Sequence, residues 1–414
     1  MTIARIGHTA TLLGNNDVLV VGGYGLGGGL SSTELYHPAT ALWRSAGDLS
    51  VPLTGHTATL LLNGPSTGNV LVAGGYDGNR ITASAQIYDS GTGTWSVAAN
   101  MSGPRSHHST TRLLDGDGLV LIVGGRDLNG VPMASAELYN STLNQWNPAG
   151  IMLVARTGHA TTLLPTGQVL VTGGWNSTGP IDTAELFYPN TDQWSLTGNM
   201  NVARTGHSAT SLGNGDVLVA GGYGNGGVQA SAEIYHLDQT TGQGGWVNAN
   251  NLHVPRAGHT ATLLSSGRVF VAGGEADDGM LTSSEQYDAT TGQWTLMGSL
   301  DVPRSFHTAT LLQDGSLLVT GGTLLRSDRV SAERVAPGVQ AILEWGPPSD
   351  PTVLGHKVYY GTTSKSYQGL AIVDREVKYT FGNLTRGTTY YFAVTSFSGT
   401  GESCSSNEVS KLIP

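Results

Sequence analysis

Short apolar runs, separated by glycine and small polar residues, recur along most of the chain. The clearest example is Val18–Val21, four consecutive apolar residues that end at a glycine pair. Runs of this length bounded by turn residues are typical of buried strands, because an amphipathic helix needs a longer segment with a 3.6-residue period. The pattern therefore predicts an all-β protein built from many short strands and tight turns.

A unit of 48 to 52 residues repeats seven times within residues 1–336. Each unit has a version of GHTATLL, then a VLVAGG-like strand ending in a glycine doublet, then a SAELY-like strand, and six of the seven end with a tryptophan strand. One four-stranded sheet cannot bury both of its faces alone, so we expect the units to pack radially into a ring. The motif histidines are His8, His56, His108, His159, His207, His259 and His307.

The repeated GHTATLL, VLVAGG, SAE-x-Y-D and Trp elements resemble the kelch motif, particularly the near-consensus form common in bacterial kelch proteins. The resemblance implies a seven-bladed kelch β-propeller over residues 1–336, with the first strand of each unit innermost. The seventh unit lacks the tryptophan, so its blade is expected to be incomplete or to use the segment after Glu333. The motif histidines recur in every unit and are expected to be structural.

A charged pair recurs with the repeats and is absent from one of them. Six units carry an arginine three residues before the histidine and a glutamate in the third strand, whereas the second unit has Leu53 and Gln86. Because both partners are missing from the same unit, we predict a structural ion pair within each of the other blades. The six arginines are Arg5, Arg105, Arg156, Arg204, Arg256 and Arg304.

A change in composition near Ala336 to Gly338 marks a second domain over residues 337–414. All four lysines lie after residue 355. The segment around ILEWGPPSDPTVLGHKVYYG and GTTYYFAVTSF resembles a fibronectin type III β-sandwich, with Trp345, Leu384 and Tyr390 at that family's core positions. The resemblance implies a spacer or adhesive module of extracellular bacterial proteins.

Charge and cysteine content exclude several classes of function. The formal net charge is −10, without any cluster of Lys and Arg, so we expect no nucleic-acid partner. No apolar run reaches the roughly 20 residues of a membrane span. Galactose oxidase is also a kelch propeller followed by a β domain, and its copper site includes a propeller cysteine. The single cysteine here is Cys404, so galactose oxidase-type activity is not expected.

The residues that follow the glycine doublets are the predicted ligand-binding positions. These loops have nearly equal lengths but different sequences, and their first residues include several aromatic side chains that can stack on sugars or cover apolar surface. Trp175, Arg126 and Glu275 depart most from the internal consensus. The predicted ligand-binding residues are Trp175, Arg126, Glu275, Tyr24, Tyr76 and Tyr223.

Carboxylates in the same loops support a second hypothesis. Asp77, Asp127, Asp277 and Asp278 offer the hard oxygen ligands that Ca²⁺ prefers, although none has a recognisable metal-binding spacing. A calcium ion there would polarise a carbonyl and activate water, as in a lactonase or esterase. Solvated turn residues are the alternative interpretation of the same four side chains.

Two function classes follow from these observations. The first is an extracellular or cell-surface recognition module of a bacterium, which binds a glycan, a protein or a small molecule through the loop face. The second is the calcium-dependent hydrolase. The first residues lie inside a repeat and lack the basic start and apolar stretch of a signal peptide, so we expect an export signal that this sequence does not include.

Overall fold

The computed structural model describes residues 1–62, 66–114, 118–238, 240–323, 332–337, 341–346, 350, 352–373, 377–381, 384, 388–399, 401–403 and 405–413. These residues form two compact units, one of residues 1–295 and 300–334, the other of residues 296–299 and 335–414. Gly338, at the predicted boundary, and Cys404 lie outside the described residues. No helix long and apolar enough to cross a bilayer occurs in the described part of the chain.

Among the described residues, the first unit contains seven antiparallel blade sheets, which we number as blades 1 to 7 in chain order, and four two-stranded ribbons that follow the glycine doublets of blades 1, 4, 5 and 6. The ribbons pair Tyr24–Gly25 with Gly28–Gly29, Trp175–Asn176 with Gly179–Pro180, Tyr223–Gly224 with Gly227–Val228, and Glu275–Ala276 with Gly279–Met280. The first strands are Thr9–Leu12, Thr57–Leu60, Ser109–Arg112, Ala160–Leu163, Ser208–Ser211, Thr260–Leu263 and Thr308–Leu311. The second strands are Val18–Val21, Val70–Ala73, Leu119–Val123, Val169–Thr172, Val217–Ala220, Arg268–Ala272 and Leu317–Thr320. The third strands are Ser32–His37, Ala85–Asp89, Met133–Asn140, Ala184–Tyr188, Ala232–Leu237, Ser284–Asp288 and Ala332–Val335.

Blades 1 to 6 each add a fourth strand, and blade 7 has three strands among the described residues. The fourth strands are Leu42–Asp48, Thr94–Val97, Gln145–Arg156, Gln193–Leu196, Gly244–Ala249 and Gln293–Leu296. The first strands of consecutive blades are neighbours all the way round the ring. They are therefore innermost, and the predicted seven-bladed propeller is confirmed.

Aromatic side chains pack in the outer part of blades 1 to 6. In blades 1 to 6 the fourth-strand tryptophan packs on the aromatic residue of the third strand, with ring centroids 4.8–5.2 Å apart. In blades 2 to 6 the indole N–H also donates to a carbonyl of the preceding blade, as from Trp194 to Ala149 at 2.7 Å. A buried indole thus gains both apolar contact and a hydrogen-bond partner.

The motif histidines join the blades near the axis. His56 Nε2 lies 3.1 Å from Thr9 Oγ1 of the preceding blade, and His108 Nε2 lies 2.9 Å from Thr57 Oγ1. Burial lowers the pKa of the motif histidines, to about 3 for His159 and about 4 for His56. These buried, neutral side chains with partners inside the scaffold match their predicted structural role.

The same contacts close the ring between blades 7 and 1. His8 Nε2 lies 3.2 Å from Thr308 Oγ1 and 3.0 Å from Thr320 Oγ1, and Gly322 N donates to Arg5 O at 3.1 Å. The glycine doublet beside this contact is required, because a Cβ at Gly321 would lie 2.3 Å from that carbonyl oxygen. Closure therefore repeats the ordinary contact between blades.

The predicted ion pair is present in all six blades that carry both residues. The arginine Nη2 lies 2.7–2.8 Å from the glutamate Oε1, and the arginine side chains are almost fully buried. In blade 4, Arg156 also donates to the carbonyls of Gly173 and Thr183. Each guanidinium thus connects the end of the second strand to the third, and the prediction is confirmed.

The described residues of the second unit form two sheets. Ala341–Glu344 pairs with Lys378–Phe381, and the other sheet contains Gly355–Gly361, Gly369–Val373, Thr389–Ser398, Gly401–Glu402 and Val409–Leu412. Its core includes Val358, Phe392 and Ile413. Leu384 lies in this core, with Trp345 and Tyr390 packed against it, as the resemblance to fibronectin type III implies.

Candidate functional site

One face of the propeller carries two sets of loops. Because neighbouring strands run antiparallel, the connections from second to third strand and from one blade to the next emerge on the same side of the ring. The residue after each glycine doublet forms a β-bridge with the residue two positions before a motif histidine. The seven bridges are Ile6–Tyr24, Thr54–Tyr76, Ser106–Arg126, Thr157–Trp175, Thr205–Tyr223, Ala257–Glu275 and Ser305–Thr323.

These bridges place the six predicted ligand-binding residues at equivalent positions around one face, which we call the loop face. Tyr24, Tyr76 and Trp175 expose 51 %, 40 % and 43 % of their surface. Arg126 is also exposed, and it forms no ion pair with the described residues. Their assignment as ligand-binding residues stays a prediction, but the backbone geometry gives each of them the same place in its blade.

Two of the six predicted residues are half-buried. Tyr223 bridges Thr205, and Glu275 bridges Ala257. The Glu275 carboxylate accepts a hydrogen bond from Ser305 Oγ of the next blade at 3.3 Å. The Glu275 side chain therefore has a partner in the scaffold, whereas the Arg126 side chain has none among the described residues.

The four predicted calcium ligands lie in the loops of three different blades. Asp77 Oδ1 accepts from the backbone N–H groups of Asn79 and Arg80, and Asp127 Oδ1 accepts from those of Asn129 and Val131. Each of these two carboxylates thereby stabilises its own turn.

Asp277 and Asp278 share a turn in blade 6. Asp277 Oδ1 accepts from Val228 N of blade 5 at 3.3 Å. Across the described residues, no group of three or more His, Cys, Asp and Glu side chains is close enough to hold a metal ion. The calcium site therefore stays a prediction, and the four aspartates do not form a cluster that could hold the ion.

Two residues at the centre of the loop face were not among the candidates chosen from the sequence. The position just before the motif histidine is glycine in five blades, with φ between 59° and 63°, but it is His107 in blade 3 and Phe306 in blade 7. Both have φ of 53°, in the left-handed region that glycine favours. An alignment of the seven repeats could have identified them, because they are the two exceptions at a position that is otherwise glycine.

These residues belong to a series of backbone hydrogen bonds that runs from blade 2 to blade 7 near the axis. His107 N donates to Gly55 O at 2.9 Å, and Phe306 N donates to Gly258 O at 2.8 Å. The bonds from Gly206 to Gly158 and from Gly258 to Gly206 continue the series. We call the seven positions Gly7, Gly55, His107, Gly158, Gly206, Gly258 and Phe306 the channel mouth.

The side chains of His107 and Phe306 lie over the channel mouth. A Cβ added at Gly55 would lie 3.0 Å from His107 Cε1, and one at Gly258 would lie 3.1 Å from Phe306. Packing of the ring against the neighbouring loop, and then the charge of Arg126, lower the pKa of His107. The imidazole is therefore neutral at pH 7 and can donate one hydrogen bond.

The opposite face has a groove of about 330 Å³ between blades 3 and 4. It is lined by residues such as Leu114, Tyr188 and Pro189, and no charged side chain lines it. None of the residues predicted from the sequence lies there. The polar and charged candidates are thus all on the loop face.

Two kelch-type family models match the chain. The Attractin/LZTR1 beta-propeller matches residues 120–336, and the KLHDC2/KLHL20/DRC7 Kelch-repeats domain matches residues 7–222, each just over half of the chain. The chain belongs to the kelch-repeat β-propeller family. The fibronectin type III domain matches residues 329–411.

Curated kelch proteins are similar to part of this chain. Beta-scruin of Limulus polyphemus is 32 % identical over 150 residues, which are 34 % of this chain and 15 % of scruin. Human Kelch-like protein 34 is 31 % identical over 139 residues, or 32 % of this chain and 21 % of that protein. The match thus spans about a fifth or less of these relatives. Kelch propellers are typically protein-interaction modules.

A solved structure has a similar fold. A fungal alcohol oxidase of the AA5 family, in complex with copper, superposes with a TM-score of 0.66 at 16 % identity, covering 99 % of this chain and 98 % of that one. The residues described here do not fit a copper centre of several histidines. Each motif histidine has its Nε2 within hydrogen-bond distance of a neighbouring hydroxyl. Four of them are buried, His8, His56, His108 and His307, and the other three are half-buried. His107 is the lone histidine of the channel mouth.

Proposed function

We propose that this kelch propeller is a recognition module that binds another protein through its loop face. The observation that carries the proposal is the ring of structurally equivalent positions after the glycine doublets, which share one backbone geometry and differ in side chain. A scaffold that holds diverse residues at equivalent places is suited to recognition, because function resides in what differs between repeats. Membership in the kelch family supports a protein as the partner.

Exposed aromatic residues strengthen the proposal. Trp175, Tyr24 and Tyr76 each leave 40 % or more of their surface in water. Tryptophan and tyrosine are enriched among the residues that dominate binding energy at protein interfaces, and their truncation typically costs more than 1 kcal/mol. Trp175 is the largest of them and is therefore the best single site at which to test the loop face.

The test compares Trp175→Ala with a matched change on the opposite face. Leu143, in the turn between third and fourth strands of blade 3, is 61 % exposed and serves as the control. Wild type and both variants are applied to a protein array and to a glycan array. We expect protein ligands that bind wild type and Leu143→Ala equally and bind Trp175→Ala at least tenfold more weakly. Binding confined to the glycan array, or unchanged in Trp175→Ala, would refute the proposal.

We extend the proposal to location outside the cell or at its surface. The support is the fibronectin type III domain that follows the propeller, since the resemblance implies a spacer or adhesive module. Protease treatment of intact cells of the source organism tests it: loss of the full-length chain is expected, and complete protection would contradict it.

A further inference from the structure

We infer that the strand Gly369–Val373 of the second unit, which we call the edge strand, pairs with the same strand of a second copy of this chain. Three observations carry the inference: a strand edge without a neighbour, two exposed apolar side chains on it, and a sequence that matches itself in antiparallel register. The dimer does not depend on the proposed recognition function, because residues of the second unit alone carry it.

The open edge comes first. The edge strand is the end strand of its sheet and pairs only with Gly355–Gly361 among the described residues. Its other side therefore presents backbone N–H and C=O groups with which another strand can pair. Natural proteins block such edges with lysine, proline or a bulge, and this strand has none of the three. On the far side of the same sheet, Val409–Leu412 does carry a lysine, Lys411.

The exposed apolar side chains come second. Leu370 is 50 % exposed and Ile372 is 66 % exposed, and they share the face away from the core, because the residues between and beside them pack into it. Their cross-strand neighbours are Tyr359 and Lys357, whose Oη and Nζ both donate to Glu402, at 2.6 and 2.5 Å. With those polar ends bound to Glu402, the surface beside the edge strand is apolar and gains from leaving water.

The self-matching sequence comes third. When two copies run antiparallel about a two-fold axis with Ala371 opposite Ala371, Leu370 of each copy lies opposite Ile372 of the other. Side chains directly opposite each other in an antiparallel pair have Cβ atoms about 4.5–5.5 Å apart. The four exposed apolar side chains therefore form one continuous row across the junction. No charged residue lies within the edge strand, so no like charges meet in this register.

The length of the edge strand predicts a weak dimer. Five residues span about 17 Å, and stable dimers usually bury roughly 1,200–2,000 Å². One short strand pair joins less surface than this, so the fraction of dimer depends on protein concentration. Two joined chains carry two loop faces, and on the proposed recognition function they bind a densely displayed partner more tightly than one chain does.

The test uses the full chain and measures its mass in solution by sedimentation velocity over a wide range of protein concentration. We expect the mass to rise reversibly from that of one chain toward that of two. Ile372→Lys places a charge on the open edge and should weaken the dimer by roughly tenfold or more, with Tm unchanged because the side chain is mostly in water. Leu412→Lys is the matched control, because Leu412 is 61 % exposed on the far side of the sheet.

A pair of complementary charges tests the register. Leu370→Glu alone should also weaken the dimer, because it places a carboxylate among apolar side chains. Mixing Leu370→Glu with Ile372→Lys should restore association, because the lysine of one chain then faces the glutamate of the other. Mixing Leu370→Glu with Leu412→Lys brings the same two charges into solution without that contact and should not restore it.

A wild-type mass that stays at one chain at every concentration, or a dimer that Ile372→Lys leaves unchanged, would overturn the inference. Equal weakening by Leu412→Lys, or a mixture of Leu370→Glu and Ile372→Lys that associates no better than its components, would do the same. Failure of the recognition proposal gives a different result. A dimer that binds no protein ligand refutes recognition alone, whereas a chain that stays monomeric and binds a ligand through Trp175 refutes this inference alone.

Discussion

Blades 2 and 4 have the same four strands but bury different side chains where the second strand ends. In blade 4, Arg156 donates to Glu185 at 2.7 Å and to two backbone carbonyls, and both side chains are fully buried. In blade 2, Leu53 lies in an apolar cluster instead. The strand pairing and the positive φ of the glycine doublet are the same in both. The blade geometry therefore does not depend on the ion pair.

The exchange of the Arg–Glu pair for Leu53 and Gln86 leaves some nearby polar atoms without hydrogen-bond partners. Gln86 Oε1 still accepts from Ser50 N at 3.0 Å, as the glutamates accept from the equivalent loop. Gln86 Nε2 and Ser84 Oγ, however, are buried without a hydrogen-bond partner among the described residues. Replacing both members of a buried pair together is often nearly neutral, whereas leaving one charge unpaired is costly. The site at the end of the second strand can thus hold either a complete ion pair or two uncharged side chains, as in blade 2.

Acidification should have the largest effect on the ring as a whole. The motif histidines titrate near pH 6.5 when unfolded, but burial lowers the pKa to about 3 for His8, His159, His207, His259 and His307. Below pH 6.5 the unfolded chain takes up protons that the folded chain cannot. Stability is therefore full above that pH and falls toward pH 3, by about 1.4 kcal/mol per pH unit for each histidine.

Blade 2 should differ slightly in this response. Burial lowers the pKa of His56 to about 4, and hydrogen bonds to the backbone of Leu53 and Val21 offset part of that effect. Melting curves at pH 7.5, 6.5, 5.5 and 4.5 test the general effect. We expect a progressive fall in Tm and unfolding before pH 4, and a constant Tm down to pH 5 would contradict the scaffold role of the histidines.

Glu185→Gln should give the largest effect of a single substitution. It leaves the fully buried Arg156 without a carboxylate, which typically costs about 3–5 kcal/mol. The measurement is the free energy of unfolding from denaturant titration. The control copies blade 2 into blade 4: Arg156→Leu combined with Glu185→Gln should recover much of the loss, because no charge is left buried. An unchanged midpoint in Glu185→Gln would exclude a structural role for the pair.

The reverse exchange in blade 2 should give a smaller effect. Leu53→Arg alone buries a cation, and Gln86→Glu alone buries a carboxylate, so each single variant should be less stable than wild type. Together they restore the pair and supply a donor to Ser84 Oγ. We expect a favourable coupling on the order of 1–3 kcal/mol in the double-mutant cycle. Additive losses would show that blade 2 has no room for the pair.

The repeats explain why so much of the scaffold could be predicted. Seven copies align with one another, so the joint loss of arginine and glutamate in one copy identified a contact that the structure contains. The same alignment placed Tyr24, Arg126 and Trp175 at equivalent positions. The alignment alone did not identify His107 and Phe306 as unusual, because what distinguishes them is a left-handed φ that only the structure shows. The distance between the loops of Asp77, Asp127 and Asp277 likewise could not be predicted from local sequence, because it depends on where the ring places their blades.

The hydroxyl partner of His207 could not be predicted without knowing which residues pair across the strands of blade 4. Ala160 occupies the place where other blades have a hydroxyl one residue after the motif histidine, so blade 4 has no partner there for His207. Its cross-strand neighbour is Thr172, and Thr172 Oγ1 lies 3.0 Å from His207 Nε2. The hydroxyl has therefore moved from the first strand to the second while the hydrogen bond between blades is kept.

Thr172→Val should give the smallest of these effects. It removes the hydroxyl partner of the buried His207, and an unsatisfied buried polar atom costs about 1–3 kcal/mol. Thr320→Val is the matched control, because His8 keeps Thr308 at 3.2 Å when Thr320 is lost. Adding Ala160→Thr to Thr172→Val returns the hydroxyl to the first strand and should restore the unfolding midpoint. Equal losses in Thr172→Val and Thr320→Val would mean that the hydroxyls act through packing alone.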